Sequence, residues 1–369
     1  MFDETFNSIN ESAENHDKGL VNNIPFSNFN KLAKHVPGIV KGLYYLVTAS
    51  SGVGKTQLTK KLFVLEPYEY VKKHPEKNLK LKILYFALEE SKEEFMLGLI
   101  SNRLHTEYNV DVSVIDLQSF TKRLPTRVIE LIKECREYFS DFEKYVEVID
   151  SIYNPTGIYK YVREYSNKNG THHYREIEIG GKPTKIYDRY EPNNPNEFVI
   201  VITDHVSLLQ EEKDSVTDRM MSKHQTMSKW SADYCRKQIS KHFKYTVVNV
   251  QQQEAAKEKQ EFYRGSSIES KLEPSLDGLA DNKLLQRDAL VVLGLFAPDR
   301  YEIKKHFKYD ITTLKDNYRS IKILKNRLGR PNLKCGLFFD GKTNDFFELP
   351  DAESEEMDII YEKLNNRKT

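Results

Sequence analysis

Cysteines, long apolar runs and a leader-like N-terminus are all scarce or missing in this 369-residue sequence. The three cysteines, Cys135, Cys235 and Cys335, are too far apart for a disulfide framework or a metal-binding motif. The longest apolar run, residues 289–297, is about half the ~18 residues that a transmembrane helix needs. The N-terminus is acidic and lacks an apolar core, which argues against a secretory signal. We therefore expect a cytoplasmic protein that does not enter a membrane.

Net charge is also small, because 56 basic residues oppose 55 acidic ones, for a formal charge of +1. A nucleic-acid partner would then be bound by a local basic strip and not by an overall positive field. With 39% hydrophobic and 30% charged residues, the composition is typical of a folded globular chain.

Short apolar runs alternate with helical patterns from residue 42 onward. The runs that resemble strands are Leu43–Thr48, Leu81–Leu88, Tyr145–Ile149, Phe198–Thr203, Tyr245–Val250 and Ala289–Phe296. Three more, which predict a β-rich C-terminal edge, are Tyr318–Leu324, Cys335–Asp340 and Asp345–Leu349. Because alternating strands and helices build parallel sheets, the predicted fold class is α/β, with a mostly parallel central sheet and flanking helices.

We divide the chain into an N-terminal tail or linker helix (residues 1–35), one large α/β domain (36–350) and a C-terminal tail (351–369). Three apolar residues of the N-terminal tail recur at helical spacing: Phe2, Phe6 and Ile9. This spacing fits a short amphipathic helix as well as it fits a frayed end.

Two segments interrupt the α/β pattern. A β-hairpin is predicted at about 170–192, where alternating polar and apolar residues flank Gly180-Gly181. A mobile loop is predicted at about 254–283, which is charged and poor in strand signals.

The clearest motif is Gly52-Val53-Gly54-Lys55-Thr56, which follows a strand and precedes a helical pattern. Such glycines let backbone N–H groups cradle phosphates, and the helix directs its N-terminus at the anion. Lys55 would contact the β- and γ-phosphates, and the Thr56 hydroxyl would hold Mg²⁺. The usual first glycine is Ala49 here, at a position that needs a small residue. The predicted site for ATP and Mg²⁺ contains Ser51, Gly52, Val53, Gly54, Lys55, Thr56 and Gln57.

Two carboxylates end strands of the same predicted sheet. Asp204 follows the run at Phe198–Thr203, where it would order the water shell of Mg²⁺. Glu89 follows the run at Leu81–Leu88, where it would orient or deprotonate the attacking water. Either could be ordinary, since aspartates often end strands and acidic residues favour helix N-termini. Their placement beside the glycine loop favours a metal role for Asp204 and a catalytic role for Glu89.

Two further polar groups follow strands. The triplet Gln251-Gln252-Gln253 comes after the run at Tyr245–Val250, where an amide can bond both the γ-phosphate and the next loop. Position does not decide which glutamine faces the site, and we choose Gln252. Lys325 and Arg327 are two residues apart at a strand end, a spacing that suits a pair aimed at one anion. From spacing alone, a solvated basic turn is the stronger interpretation.

The order of these motifs resembles the RecA-like motor domain of hexameric replicative DNA helicases of the DnaB type, over roughly residues 19–349. In that family a Leu-Glu pair at a strand end carries the catalytic glutamate. The resemblance implies this role for Glu89, the metal role for Asp204 and nucleotide sensing for Gln252. The family's Lys-x-Arg-x-Gly segment supplies a lysine and an arginine finger to the ATP of the neighbouring subunit. The resemblance implies these catalytic roles for Lys325 and Arg327.

The sequence departs from the family pattern in two places. Only about forty residues precede the first strand, so we expect the N-terminal helical domain of the family to be missing. The family's Arg-Glu-Ser-Gly DNA-contact segment falls at Ala280-Asp281-Asn282-Lys283, which lacks the arginine. Basic residues in or near the charged loop could bind DNA, although interleaved acidic residues fit a solvated loop equally well. These candidates are Lys257, Lys259, Arg264 and Lys283.

The resemblance implies an ATP-dependent DNA helicase that hydrolyses ATP at the subunit interfaces of a homo-hexamer while translocating on single-stranded DNA. It also implies a primase and a helicase loader as partners, and the short chain suggests a phage protein acting in the bacterial cytoplasm. One alternative is a RecA- or KaiC-like ATPase without unwinding activity, in a recombinase-like filament or a regulatory role. Another is an accessory protein that binds ATP as a structural switch.

Overall fold

A computed structural model describes residues 2–17, 23–214, 216–254, 272–331 and 333–366. The strands within these ranges are β1 Asn23–Ile24, β2 Ile39–Val40, β3 Tyr44–Ala49, β4 Lys80–Ala87, β5 Val146–Ile149, β6 Gly170–Ile179, β7 Lys182–Pro192, β8 Glu197–Asp204, β9 Thr246–Gln252, β10 Val291–Phe296, β11 Lys305–His306, β12 Tyr309–Asp310, β13 Tyr318–Asn326, β14 Lys334–Asp340 and β15 Asp345–Glu348. The central sheet has the order β15-β14-β13-β10-β3-β9-β8-β4-β5.

Helical segments connect the strands and cover the sheet. They are Phe2–Asp17, Asn30–Ala33, Lys55–Lys60, Lys61–Leu65, Glu66–Lys73, Pro75–Lys77, Lys92–Tyr108, Val114–Leu117, Thr126–Glu134, Arg136–Tyr145, Pro155–Asn169, Val206–Leu208, Lys223–Ser228, Lys229–His242, Leu276–Gly278, Leu285–Asp288, Pro298–Tyr301, Ile311–Leu314, Lys315–Asn317 and Glu355–Asn366. Among the described helices, none combines the length and the apolar character that a membrane span requires.

The central sheet is parallel from β10 to β5, and β13, β14 and β15 extend it as an antiparallel edge. Every residue of β3 and β8 is buried, because helices cover both faces of the sheet. Along β3 the side chains alternate between two cores. The Tyr45 ring packs 4.9 Å from that of Phe63 on one face, whereas the Tyr44 hydroxyl bonds Ser231 on the other. The predicted fold class is confirmed.

The packed region extends beyond the domain boundaries predicted from the sequence. Residues 23–35 are not a tail, because their apolar side chains are almost fully buried: Ile24, Phe26, Phe29 and Leu32. The Glu348 carboxylate also accepts hydrogen bonds from the backbone N–H groups of Lys31 and Leu32. At the other end, the helix Glu355–Asn366 buries Met357 against the C-terminal β-rich edge. These contacts are long-range, so local sequence pattern did not reveal them.

The two interrupting segments differ in structure. Strands β6 and β7 form an antiparallel hairpin over 170–192, whose base packs His172 with a ring-centroid distance of 5.1 Å from Phe243. Residues 272–283 are packed, contrary to the prediction of a mobile loop there. Leu279 is fully buried and pairs with Gln253 at the end of β9. The remainder of the predicted loop, 255–271, lies outside the described residues.

Candidate nucleotide-binding site

The carboxyl ends of four parallel strands meet at one edge of the central sheet. In the register of the sheet, Ala49 pairs with Gln252 and Ala87 pairs with Asp204. A cavity of about 470 Å³ opens at this edge. The predicted site residues that line it are Ser51, Gly52, Gly54, Lys55, Thr56, Gln57, Glu89, Asp204 and Gln252. The structure thus brings the glycine loop, both carboxylates and one glutamine together.

The glycine loop adopts backbone angles that favour glycine at two positions. Gly52 and Gly54 have φ angles of +66° and +107°. Val53 between them is buried, and the helix that follows the loop begins at Lys55. The Lys55 ammonium donates to the Ser50 carbonyl at 3.2 Å, which holds the lysine against the loop. Loop and helix therefore have the arrangement that a phosphate cradle needs.

Asp204 presents one carboxylate oxygen for a metal ion. Its Oδ2 accepts a 2.7 Å hydrogen bond from the hydroxyl of Tyr85 on the neighbouring strand. Burial and the nearby Asp204 carboxylate raise the pKa of Tyr85 well above its usual value, so this hydroxyl remains a donor. The Oδ1 atom is buried and has no hydrogen-bond partner among the described residues. Oxygen atoms of Asp204 and Thr56, which share the cavity, are the ligand type that Mg²⁺ takes.

Glu89 and Glu90 are adjacent in sequence but lie in different environments. The Glu89 carboxylate is 63% exposed, and its Oε2 lies 3.5 Å from Nε2 of His205. Glu90 is mostly buried and forms a 2.8 Å ion pair with Lys60. Burial raises the pKa of Glu90 and lowers the pKa of His205, so His205 is the neutral partner of Glu89 near pH 7. Of the two glutamates, Glu89 is the one accessible to water in the cavity.

The glutamine triplet alternates in direction along the end of β9. Gln252 lines the cavity, whereas Gln251 is fully buried on the opposite side. The Gln251 amide donates to the carbonyl oxygens of Ala280 and Asn282, the latter at 3.0 Å. The choice left open by the sequence therefore falls on Gln252.

Lys325 and Arg327 lie at the opposite edge of the sheet from the cavity. Strand β10 places Val291 beside Tyr45, and antiparallel β13 places Asn326 beside Val291. Tyr45 is four residues before the cavity end of β3, which is about 13 Å along a strand. Burial and the charge of Arg327 lower the pKa of Lys325, whose ammonium donates to the Arg287 carbonyl at 3.1 Å. The pair does not approach the cavity of its own chain.

The residues predicted to bind DNA are only partly visible. Lys257, Lys259 and Arg264 lie outside the described residues. Lys283 is described, and its ammonium lies 3.8 Å from the Glu254 carboxylate. The backbone before it pairs with the end of β9, because the Ala280 N–H donates to the Gln252 carbonyl at 2.9 Å. Lys283 is therefore connected through backbone bonds to the strand that carries Gln252.

Sequence reasoning missed several groups around the cavity. Tyr85 lies four residues before Glu89 and Lys60 five residues after Lys55, and this proximity was the only local signal for either. Arg300 and Arg319 hydrogen-bond the loop from segments about 250 residues away. No local pattern announces such long-range contacts.

The parallel sheet, the glycine loop and the two carboxylates at neighbouring strand ends define a P-loop NTPase fold of the RecA-like type. Among solved structures, the chain is similar to the ATPase domain of a phage helicase, with 19% identity and a TM-score of 0.67 over 95% of this chain and 99% of that one. It is also similar to a DnaB-like replicative helicase described with its interactions with primase, with 19% identity and a TM-score of 0.64 over 94% and 67%. The resemblance to DnaB-type motor domains is confirmed at the level of fold.

A more distant likeness is to a KaiC-like protein of Pyrococcus horikoshii, with 12% identity and a TM-score of 0.43 over 88% of this chain and 97% of that one. No family model matches the sequence, and no curated protein matches it. The similarity therefore rests on shared three-dimensional structure.

Proposed function

We propose that this protein is an ATP-dependent DNA helicase of the replicative DnaB type. In this proposal it forms a homo-hexamer, hydrolyses ATP at the subunit interfaces and translocates on single-stranded DNA. The carrying observation is how the parts of the site are distributed. Both carboxylates share the cavity of the glycine loop, whereas Arg327 lies at the opposite edge of the same sheet. A second copy is needed to bring that arginine to a cavity.

Each cavity residue has a role that follows from the bonds it can make. Lys55 and the backbone of the glycine loop bind the β- and γ-phosphates. Thr56 and Asp204 hold Mg²⁺, which neutralises phosphate charge when it is bound with ATP. Glu89, exposed to the cavity, orients the attacking water and accepts its proton.

Lys325 and Arg327 complete the site from the neighbouring subunit. A guanidinium stabilises the charge that spreads over the transferring phosphoryl group. One interface repeated head to tail gives either a closed ring or an open filament. In a ring of six, each subunit supplies this pair to the ATP of the next, so that hydrolysis shifts one subunit against its neighbour.

Gln252 couples the nucleotide to DNA in this proposal. Its side chain lines the cavity, and its backbone oxygen is bonded to the segment that leads to Lys283. Basic side chains following β9 would track the phosphates of single-stranded DNA: Lys257, Lys259, Arg264 and Lys283. We further propose a primase and a helicase loader as partners, for a phage-encoded protein acting in the bacterial cytoplasm.

The neighbours Glu89 and Glu90 provide a matched pair of variants to test the ATPase. Glu89→Gln should lower ATP turnover with single-stranded DNA by about 10²- to 10⁴-fold without loss of ATP binding, because the general base is removed. Glu90→Gln removes the same charge from a carboxylate already paired with Lys60, and should lower turnover much less. Wild-type turnover by the Glu89 variant would overturn the assigned chemistry.

Strand displacement on forked DNA separates the helicase from the RecA- or KaiC-like alternative. Displacement that needs ATP and Mg²⁺ supports the proposal, whereas DNA-stimulated hydrolysis without displacement favours the alternative. Native mass spectrometry with bound nucleotide gives one six-fold species for a ring and an open series for a filament. ATP that stays bound and unhydrolysed with DNA present indicates an accessory protein.

A further inference from the structure

Two arginines bind the outer side of the glycine loop. The Nη1 and Nη2 atoms of Arg300 donate to the carbonyl oxygens of Ser51 and Gly52, at 2.5 and 2.7 Å. The Nε atom of Arg319 donates to the carbonyl oxygen of Val53 at 2.8 Å. Three consecutive carbonyl groups of the loop therefore each accept a charge-assisted hydrogen bond.

The two arginines are anchored differently. Arg319 is 1% exposed, and its Nη1 atom donates to the carbonyl oxygens of Asp316 and Tyr318 at 2.6 and 2.9 Å. Its guanidinium also lies over the ring of Phe339. Arg300 is exposed and extends from the short helix Pro298–Tyr301. Arg319 thus fixes one end of the loop rigidly, and Arg300 holds the two peptide groups before it.

Bonds on the carbonyl side affect the opposite side of a peptide group. An oxygen that accepts a bond from a cation polarises its peptide group, which makes the N–H a stronger donor. Carbonyl groups held outward also leave the N–H groups of the loop to face an anion in the cavity. We infer that Arg300 and Arg319 are positioning residues that preorganise the glycine loop for a triphosphate without touching it. The inference rests on the proposed nucleotide site and adds its support from the carbonyl side.

Arg300 is the better residue to change, because it is exposed and water can replace its bonds. Arg300→Gln should weaken the binding of ATP and of inorganic tripolyphosphate about tenfold each, because two charge-assisted bonds are lost. Arg300→Lys should recover part of this affinity, since one ammonium can reach one carbonyl. Lys304→Gln removes an equal charge from an exposed side chain four residues away and should change neither affinity.

Steady-state kinetics distinguish positioning from a general loss of structure. For Arg300→Gln the KM for ATP should rise about tenfold while kcat stays within about twofold, because only binding common to the ground state and the transition state is lost. The unfolding temperature without nucleotide should not change. Arg319→Lys, which keeps the buried charge, should show the same separation of KM from kcat.

Three results would overturn the inference. The first is an Arg300→Gln variant that binds tripolyphosphate as tightly as the wild-type protein, and ATP binding by the wild type then leaves the proposed function standing. The second is an equal loss in Lys304→Gln, which would assign the effect to net charge. The third is a wild-type protein that binds neither ligand, which would overturn the proposed function as well.

Discussion

The Tyr85 hydroxyl donates a 2.7 Å hydrogen bond to Asp204 across two neighbouring parallel strands. The bond occupies one carboxylate oxygen and leaves the other, Oδ1, buried and without a partner among the described residues. Tyr85 thereby sets the rotation of the carboxylate that we assign to Mg²⁺. Groups that orient a metal ligand in this way affect metal affinity although they do not touch the metal.

Tyr85→Phe should therefore raise the Mg²⁺ requirement of ATP turnover. We expect the Mg²⁺ concentration for half-maximal turnover to rise about tenfold, because the carboxylate loses the bond that orients it. A Mg²⁺ titration of ATP hydrolysis measures this shift. Tyr45→Phe is the control, since it removes another buried hydroxyl bond, to the Gly38 carbonyl, away from the cavity. An equal shift in both variants would contradict the assigned role of Tyr85.

Glu273 predicts a specific dependence of stability on pH. The hydrogen bond from His306, together with that from Lys322, lowers the pKa of Glu273 to about 2. A carboxylate whose pKa is lower in the folded state stabilises the protein above its unfolded pKa, here 4.5, and this contribution is lost as the pH falls from 4.5 toward 2.

Glu273→Gln should lower the unfolding temperature most near neutral pH. The difference from the wild-type protein should shrink as the pH falls below about 4.5, because the wild-type carboxylate then becomes protonated as well. Thermal unfolding of both proteins from neutral to acidic pH measures this difference. A constant difference across that range would show that the charge of Glu273 does not stabilise the fold.

Gln251 and Gln252 should respond differently to the same substitution. Gln251→Ala leaves the carbonyl groups of Ala280 and Asn282 without their buried donor, which should cost about 1–3 kcal/mol of unfolding free energy. Gln252→Ala removes a side chain that lines the cavity, so it should reduce the stimulation of ATP turnover by DNA with little loss of stability. Denaturant unfolding and ATP hydrolysis with and without single-stranded DNA test both expectations. The reverse pattern would assign nucleotide sensing to Gln251.

The parallel sheet and the glycine loop were predictable because both leave local signals. A strand buried on both faces is a short apolar run, as at β3 and β8, and the loop has a fixed spacing of glycine, lysine and threonine. The positions of Glu89 and Asp204 followed from the rule that parallel strands end at one edge. The choice between Gln251 and Gln252 needed the actual direction of the side chains at the end of β9.

Contacts between distant segments were not predictable in this way. Ile24 and Phe26 look like part of a polar tail in the sequence, yet they are buried by strands that follow much later in the chain. The same holds for Arg319, which bonds Val53 across 266 positions. One sequence gives the local pattern of each segment but not which segment covers it.

Arg327 gives the most direct test of the central claim, that a neighbouring subunit completes each ATP site. Glu89→Gln and Arg327→Ala should each abolish DNA-stimulated ATP turnover alone, because one removes the water-activating group and the other the group supplied in trans. Mixed one to one and allowed to exchange subunits, the two variants should recover about a quarter of wild-type turnover, since about one site in four then pairs an intact Glu89 with an intact neighbouring Arg327. No recovery on mixing, or full turnover by Arg327→Ala alone, would contradict the account.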